Sequence, residues 1–204
     1  CRSEHAPTIA VPYYRILFPN FGTAIYGRSM PDAVYTHGHH ESVLRSHRWR
    51  TAENSAAYLL PHLRPGQSLL DIGCGPGTIT LDLAERVAPG RVTAVEVTPT
   101  ALDLARAEAD RRGVTTVDFA VSDVHALDLP DDRFSGAVCF AMLHHVPTPE
   151  LQDRIFSEVA RVLTPGGSFV ASDSVHRVEL EEFHEGDTYL PLDPATIVDR
   201  LTAQ

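Results

Sequence analysis

A glycine-rich loop preceded by an acidic residue is the part of the sequence best suited to chemistry. It reads Asp71-Ile72-Gly73-Cys74-Gly75-Pro76-Gly77 and directly follows an apolar run that predicts a buried strand. Glycines at alternate positions permit a tight turn and let backbone N–H groups approach a ligand where a helix begins. The spacing is G-x-G-x-G, whereas the dinucleotide fingerprint is G-x-G-x-x-G. A carboxylate beside the loop mouth repels a pyrophosphate but suits an ammonium or sulfonium group.

Two further acidic residues lie at or just after the ends of predicted strands. Glu96 ends the second strand, at a position where a carboxylate can accept both hydroxyls of a ribose. Asp123, within Ser122-Asp123-Val124, follows the third strand and can accept from the exocyclic amine of an adenine. The carboxyl ends of parallel strands meet at one edge of a sheet, so Asp71, Glu96 and Asp123 should line one crevice. Together they predict a site for an adenosine ligand with cationic character.

The elements that must position these residues alternate along the chain. Five apolar runs predict strands, at 67–72, 91–97, 114–121, 134–140 and 167–172. Helical periodicity predicts helices at 42–47, 52–60, 78–87, 99–112, 149–163 and 194–201. Strands joined by helices of this length imply parallel crossovers, and therefore an α/β fold with a doubly wound, mostly parallel sheet. Since no strand follows the last helix, the fifth strand is expected to be an open edge.

These motifs together resemble those of class I S-adenosylmethionine-dependent methyltransferases. The resemblance rests on the glycine loop, Val95-Glu96-Val97, Ser122-Asp123-Val124 and Arg161-Val162-Leu163-Thr164-Pro165-Gly166-Gly167, and it covers roughly residues 37–175. The segment Leu143-His144-His145-Val146, after the fourth strand, resembles the corresponding segment of the small-molecule branch of that family. This branch includes the ubiquinone and menaquinone biosynthesis methyltransferases. The resemblance implies a Rossmann-like methyltransferase fold, S-adenosylmethionine as cofactor and S-adenosylhomocysteine as its product. It also implies methyl transfer to a small organic acceptor by in-line displacement.

The resemblance implies roles for individual residues. Asp71 and the glycine loop would hold the methionine end of the donor, Glu96 the ribose, and Asp123 with Val124 the adenine. The residues expected to contact the cofactor are Thr51, Asp71, Gly73, Cys74, Gly75, Gly77, Glu96, Val97, Ser122, Asp123, Val124 and Ala141. Thr51 and its neighbour Arg50 could reach the carboxylate of the donor, although helix capping explains Thr51 equally well.

One departure from the family is the apparent absence of the two strands that normally follow the fifth. An alternative interpretation is therefore a non-catalytic or truncated donor-binding domain that needs a partner chain. A nicotinamide-dependent oxidoreductase on a similar sheet is a further alternative, but Asp71 and the glycine spacing disfavour it.

Histidines form two more candidate groups. His144 and His145 follow the fourth strand, where a histidine close to the methyl group could act as a general base, or could simply pack in the loop. Residues 37–47 contain four histidines, and we expect this segment to cap the substrate through His39, His40, Arg45 and His47. Metal binding there is a competing hypothesis, but no cysteine or carboxylate set completes a known spacing, so no metal is expected.

The charge, the hydropathy and the cysteine content of the chain disfavour several classes of function. With 17 basic and 27 acidic residues the net charge is −10, which disfavours nucleic acid as a partner. No apolar stretch approaches the roughly 18 residues of a membrane span, and no signal peptide is recognisable, so a cytoplasmic protein is expected. The odd number of cysteines predicts reduced thiols. We expect one structural domain, with an N-terminal arm and helical cap at 1–66 and a cofactor-binding core at 67–204. A homodimer is a candidate assembly.

Overall fold

The structure, a computed structural model, describes residues 49–174 and 187–204. The predicted arm and most of the predicted cap, including His39, His40, Arg45 and His47, lie outside these residues. The proposed domain division at residue 66 stays a prediction. Within the described part, however, Ala52, Ala56 and Leu63 belong to the same buried cluster as Leu69 of the sheet, so residues on both sides of that division share one core.

Within the described residues, five parallel strands form one sheet, as the sequence predicts. They are β1 (Ser68–Ile72), β2 (Arg91–Glu96), β3 (Val117–Val121), β4 (Phe134–Phe140) and β5 (Leu163–Ser172). Their order across the sheet is β3-β2-β1-β4-β5, and every neighbouring pair is parallel. The chain therefore leaves β1 in one direction to build β2 and β3, and returns to its other side to build β4 and β5. A crevice for ligands is expected at such a reversal, at the carboxyl ends of β1 and β4.

Helices follow β1, β2 and β4, whereas the connection from β3 to β4 contains none, and helices cover both faces of the sheet. They are α1 (Ala52–Ser55), α2 (Thr78–Val87), α3 (Pro99–Arg112), α4 (Pro149–Val162) and α5 (Ile197–Thr202), with 3-10 turns at Leu60–His62 and Leu143–His145. No helix within residues 49–174 or 187–204 has both the length and the apolar character needed to cross a membrane.

The two faces of β1 show how the layers are held together. Leu70 and Ile72 pack in one buried cluster with Ile155 of α4, whereas Leu69 packs in a second cluster with Leu83 of α2. This alternation follows from the two-residue period of a strand. Each such fully buried aliphatic side chain contributes about 1.5–3 kcal/mol. The apolar run of β1 therefore fixes both layers, and with them the position of the loop that follows.

Glycine and proline set the helix boundaries near that edge. α2 begins after Gly77, whose φ is +76°, and a Cβ there would lie 2.9 Å from the Cβ of Ala105. α3 has Pro99 in its first turn and ends at Gly113, whose φ is +67°. Thr98 occupies the N-cap position of α3 without a side-chain hydrogen bond. The predicted bounds of α2 and α3 are thus confirmed, because both depend on local backbone preferences.

Four predicted boundaries are wrong by three residues or more, and one of them is the start of the last helix, at Ile197 rather than 194. The helix expected at 52–60 ends at Ser55, and the chain continues through tighter bonds such as Leu59 N to Ala56 O (2.9 Å). The helix is interrupted at Ala56, whose φ of −139° and ψ of 23° are not helical, and Leu60 and Pro61 lie in the 3-10 turn that follows. β5 begins at Leu163 rather than 167, since Leu163 pairs with Phe134 before an irregularity in the register. β3 begins at Val117 rather than 114.

Candidate functional site

The glycine loop joins β1 to α2 with three residues in the left-handed region. The φ angles of Gly73, Gly75 and Gly77 are +70°, +52° and +76°. The backbone N–H groups of Gly73 and Cys74 donate to Val95 O at 2.9 and 3.1 Å, which ties the loop to β2. A Cβ at Gly73 would lie 2.6 Å from Cγ of Met142, whereas a Cβ at Gly75 would meet nothing within 4 Å. Gly75 therefore faces open space, which leaves room for a ligand.

Asp71 lies beneath this loop rather than at its mouth. Only 2% of the residue is exposed, and its Oδ2 accepts a hydrogen bond from Thr80 Oγ1 at 2.6 Å. Burial raises the pKa of Asp71 to about 6, although the Thr80 hydroxyl and the positive charge of Arg50 oppose the rise. The carboxylate is thus held by Thr80 of α2, and its contact with a ligand stays a prediction.

The raised pKa of Asp71 predicts a distinct dependence of stability on pH. The folded-state value lies above the ordinary 3.8, so the folded protein retains a proton that the unfolded chain releases. The stabilisation is complete below about pH 4 and is lost as the pH rises through about 6. At about 1.4 kcal/mol per pKa unit, it is on the order of 3 kcal/mol. In urea titrations, we expect the free energy of unfolding of the wild type to fall relative to Asp71→Asn across this range.

A surface aspartate provides the control for this experiment. A hydrogen bond from Arg91 lowers the pKa of Asp118, so Asp118→Asn should give a difference of the opposite sign that is smaller because the side chain is exposed. A difference between wild type and Asp71→Asn that does not change with pH would contradict the assignment of a raised pKa.

Glu96, at the end of β2, is bonded to backbone groups on both sides of the crevice. Its Oε2 accepts from Gly75 N at 3.1 Å, and its Oε1 accepts from Thr98 N at 3.0 Å. The side chain therefore joins the glycine loop to the start of α3. Each carboxylate oxygen can accept two hydrogen bonds, so the group retains capacity for ligand hydroxyls. The next residue, Val97, is 67% exposed and offers an apolar surface beside that carboxylate.

The segment after β3 lies beside the end of β2. Ser122 N donates to Glu96 O at 3.2 Å, which brings the predicted adenine-binding residues next to the predicted ribose-binding residue. Oδ1 of Asp123 accepts from His125 N at 2.9 Å and lies 2.7 Å from His125 Nδ1. Burial raises the pKa of Asp123, but the bonds from His125 outweigh it and lower the pKa overall. Val124 packs against the buried cluster under α4.

The segment after β4 contains the two candidate catalytic histidines. Ala141 adopts a φ of +54°, which is uncommon for a residue with a side chain, and its N–H donates to Ser172 O at 2.8 Å. His144 is buried, and its ring centroid lies 4.0 Å from that of His145. His145 Nδ1 is 3.3 Å from Thr188 O. The backbone of this segment is therefore held against the end of β5.

Asp173, directly after β5, is a site residue that the sequence analysis missed. Its Oδ2 accepts from Met142 N at 3.0 Å and from Leu143 N at 2.7 Å, and its Oδ1 is hydrogen-bonded to His144 Nδ1. An available signal was its position, because it follows a predicted strand just as Asp123 does. Acidic residues thus occur at or just after the carboxyl ends of four of the five strands within the described residues.

Arg50 and Thr51 precede the sheet and approach the same edge. Burial lowers the pKa of Arg50, whereas the negative charges of Asp173 and Asp71 oppose that effect. Thr51 forms a capping box at the start of α1: its Oγ1 accepts from Asn54 N at 3.2 Å, and its N–H donates to Asn54 Oδ1 at 2.8 Å. The side chain of Thr51 therefore caps a helix, and its contact with the donor stays a prediction.

The remaining predictions for this region concern thiols and metals. Cys74 is half-buried, with Sγ 3.7 Å from Gly75 O, and burial raises the pKa of its thiol well above the ordinary value. A protonated thiol is a poor nucleophile. The backbone N–H of Cys74 is bonded to β2, and its contact with the cofactor stays a prediction. Within residues 49–174 and 187–204, no three His, Cys, Asp or Glu side chains are grouped to hold a metal ion. The histidines at 37–47 lie outside those residues.

Comparison with known proteins gives one family. Residues 69–167 match the family described as "Methyltransferase domain". The chain is 30% identical over 149 residues to the probable methyltransferase ltbC of Aspergillus luteorubrus, an alignment that covers 70% of this chain and 52% of that protein. It is 35% identical over 142 residues to demethylmenaquinone methyltransferase of Symbiobacterium thermophilum, covering 64% and 53% respectively.

A solved structure of an S-adenosylmethionine-dependent methyltransferase from Methanosarcina mazei shares the fold. It aligns with a TM-score of 0.56 at 28% sequence identity, and the alignment covers 68% of this chain and 72% of that chain. The chain spans about half the length of the curated relatives it matches.

Proposed function

Since residues 69–167 form a methyltransferase domain of the class I S-adenosylmethionine-dependent family, we propose that this chain transfers a methyl group from S-adenosylmethionine to a small organic acceptor. The family inferred from the glycine loop and the strand-end acids is thereby confirmed. The observation that best supports the activity is the bond between Glu96 and Gly75. It joins the carboxylate that we propose to bind the ribose to a loop with open space beside Gly75.

We propose that the described residues hold the donor along the carboxyl edge of the sheet. Glu96 would accept from the ribose hydroxyls, and the exposed Val97 would pack against the adenine beside Asp123. The backbone of Gly73 and Gly75 would approach the methionine portion. The negative charge of Asp71 lies directly beneath that loop and would favour the cationic end of the donor.

S-adenosylmethionine supplies an electrophilic methyl group attached to a sulfonium. The residues of this chain then have three tasks, which are to align the acceptor with that methyl group, to exclude water and to accept a proton. Alignment in line with the breaking bond falls to the segment after β4, which Asp173 and Ser172 hold in place. His144 is the candidate proton acceptor, and burial of its ring keeps bulk water away.

For the acceptor, quinols and phenols are the first class to examine. The relative from Symbiobacterium thermophilum is named for demethylmenaquinone, and the net charge of −10 disfavours nucleic acid as a substrate. A phenolic hydroxyl or an activated ring carbon needs a nearby base, and we propose His144, in the segment after β4, for that role.

Calorimetric titration of the chain with S-adenosylmethionine and S-adenosylhomocysteine tests the proposal, followed by transfer of a radiolabelled methyl group to a panel of quinols and phenols. We expect dissociation constants in the micromolar range and label in at least one acceptor. NADH titration under the same conditions is the control and should show no binding. A folded chain that binds neither compound would contradict the proposal and favour a domain that needs a partner chain.

A further inference from the structure

The side chain of Asp173, directly after β5, forms four hydrogen bonds. Its side chain is only 1% exposed. Oδ2 accepts from the backbone N–H groups of Met142 and Leu143, and Oδ1 accepts from Ser174 N at 2.7 Å and is hydrogen-bonded to Nδ1 of His144. Burial of a carboxylate is costly unless it is paired and fully bonded. These four hydrogen bonds meet that requirement.

The arrangement of donors requires a carboxylate rather than an amide. Both oxygens of Asp173 accept from backbone N–H groups, Oδ2 from Met142 and Leu143 and Oδ1 from Ser174, so a carboxylate here leaves Nδ1 of His144 to act as the donor. Asparagine has a single acceptor oxygen, and its NH₂ group would face either the two backbone N–H groups or the ring of His144. The charge of Arg50 acts on the same carboxylate, which offsets part of the cost of burying it.

The bond to Asp173 decides which nitrogen of His144 can take up a proton. When Nδ1 donates to a carboxylate, Nε2 is the basic nitrogen of the neutral ring. The ring is also fixed in orientation, because His145 stacks at 4.0 Å and Tyr189 contacts it edge-on at 5.7 Å between centroids. Leu190 N donates to His144 O at 2.7 Å and restrains the backbone.

Asp173 also holds the segment after β4 close to the glycine loop. The backbone N–H of Met142 donates to Asp173. The side chain of Met142 packs so closely on Gly73 that a Cβ added to Gly73 would lie 2.6 Å from Cγ of Met142. His144 is two residues further along. The histidine therefore belongs to a backbone segment that Asp173 ties to β5 and that packs on the loop proposed to bind S-adenosylmethionine.

We propose that Asp173 is the positioning residue for proton removal, holding His144 with Nε2 as the acceptor of the proton from the methyl-accepting group. This inference rests on the proposed function. The acceptor's X–H proton moves to Nε2 while its electron pair forms the bond to the methyl carbon. The bond between carbon and sulfur breaks with its electrons on sulfur, which leaves neutral S-adenosylhomocysteine and a protonated imidazole. Asp173 stabilises that imidazolium without taking the proton.

The tautomer of His144 tests the inference without any acceptor. In the full chain labelled with ¹⁵N, multiple-bond ring spectra at pH 8 report which nitrogen carries hydrogen, and His144→Gln identifies the signal. We expect the Nδ1–H tautomer in the wild type and conversion to the Nε2–H tautomer in Asp173→Asn. An Nε2–H tautomer in the wild type, or an unchanged tautomer in Asp173→Asn, would overturn the inference. If Asp173→Asn does not fold, the wild-type spectrum still decides.

Kinetics then separate positioning from a purely structural role. With a naphthohydroquinone as probe, we expect Asp173→Asn to lower kcat at least tenfold, with KM and the affinity for S-adenosylhomocysteine changed less than threefold and partial recovery in Asp173→Glu. Asp193→Asn is the matched control, because Asp193 is an exposed aspartate that also accepts a backbone N–H, from Ala195 at 2.9 Å. An unchanged kcat in Asp173→Asn would overturn the inference. A wild type that binds no donor and methylates no acceptor would instead count against the proposed function. The tautomer of His144 would still test whether Asp173 orients that ring.

Discussion

Replacement of Glu96 by alanine is expected to weaken the binding of S-adenosylmethionine by about 100-fold or more. The variant removes the proposed acceptor of two ribose hydroxyls, and hydrogen bonds to charged groups contribute about 1.5–3 kcal/mol each. It also leaves Gly75 N and Thr98 N without the acceptor that joins the loop to α3. About 1.4 kcal/mol corresponds to a tenfold change in affinity. Isothermal titration calorimetry on the folded variant measures the effect directly.

Two variants make the Glu96 result interpretable. Glu85→Ala removes a surface glutamate that is paired with Arg112 at 2.8 Å, and it should bind the donor as the wild type does. Glu96→Gln retains one acceptor oxygen and should fall between wild type and alanine. Wild-type affinity in Glu96→Ala would show that this carboxylate does not contact the ribose.

Replacement of Gly75 by alanine should weaken donor binding at least tenfold while costing the fold only about 1–2 kcal/mol. The cost to the fold comes from the left-handed backbone, with φ at +52°, which residues with a side chain adopt unfavourably. The loss of affinity comes from the new methyl group, which would occupy the open space proposed for the donor. Urea unfolding measures the first quantity and calorimetry the second.

Two other glycines separate these effects. Gly113→Ala introduces the same kind of strain, at a φ of +67° with nothing within 4 Å of the added Cβ, but it lies at the far end of α3 and should leave donor affinity unchanged. Gly77→Ala should destabilise the fold further, because its Cβ would approach that of Ala105 to 2.9 Å. Equal donor affinities in Gly75→Ala and Gly113→Ala would argue against a ligand at Gly75.

Parts of the fold that depend on local chemistry could be predicted from the sequence. The bounds of α2 and α3 follow from Gly77, Pro99 and Gly113, whose backbone preferences are the same in any fold. β4 was predicted with its observed bounds, since Phe134–Phe140 is an uninterrupted run of small and apolar residues. The strand-end positions of Asp71, Glu96 and Asp123 followed from these elements, and the structure brings Glu96 to Gly75 as expected for one shared crevice.

Features that depend on packing between distant segments could not be predicted in this way. The early end of α1 depends on how the residues before Pro61 turn, and the early start of β5 depends on pairing between Leu163 and Phe134, about thirty positions apart. The burial of Asp71 under its own loop depends on Thr80. Asp173 was missed because its role lies in the amides of Met142 and Leu143, which belong to another strand's loop.

The strand order described above also links occupancy of the site to the integrity of the whole sheet. Neighbouring strands such as β1 and β4 are separated in sequence by two helical crossovers, so the groups that would hold the donor come together only once the central strands have paired. A ligand that binds only this assembled state adds its binding free energy to the folding equilibrium, about 2.7 kcal/mol at a concentration 100 times its Kd. The concentration of the methyl donor would then influence the fraction of molecules that are folded, in addition to the rate of methyl transfer.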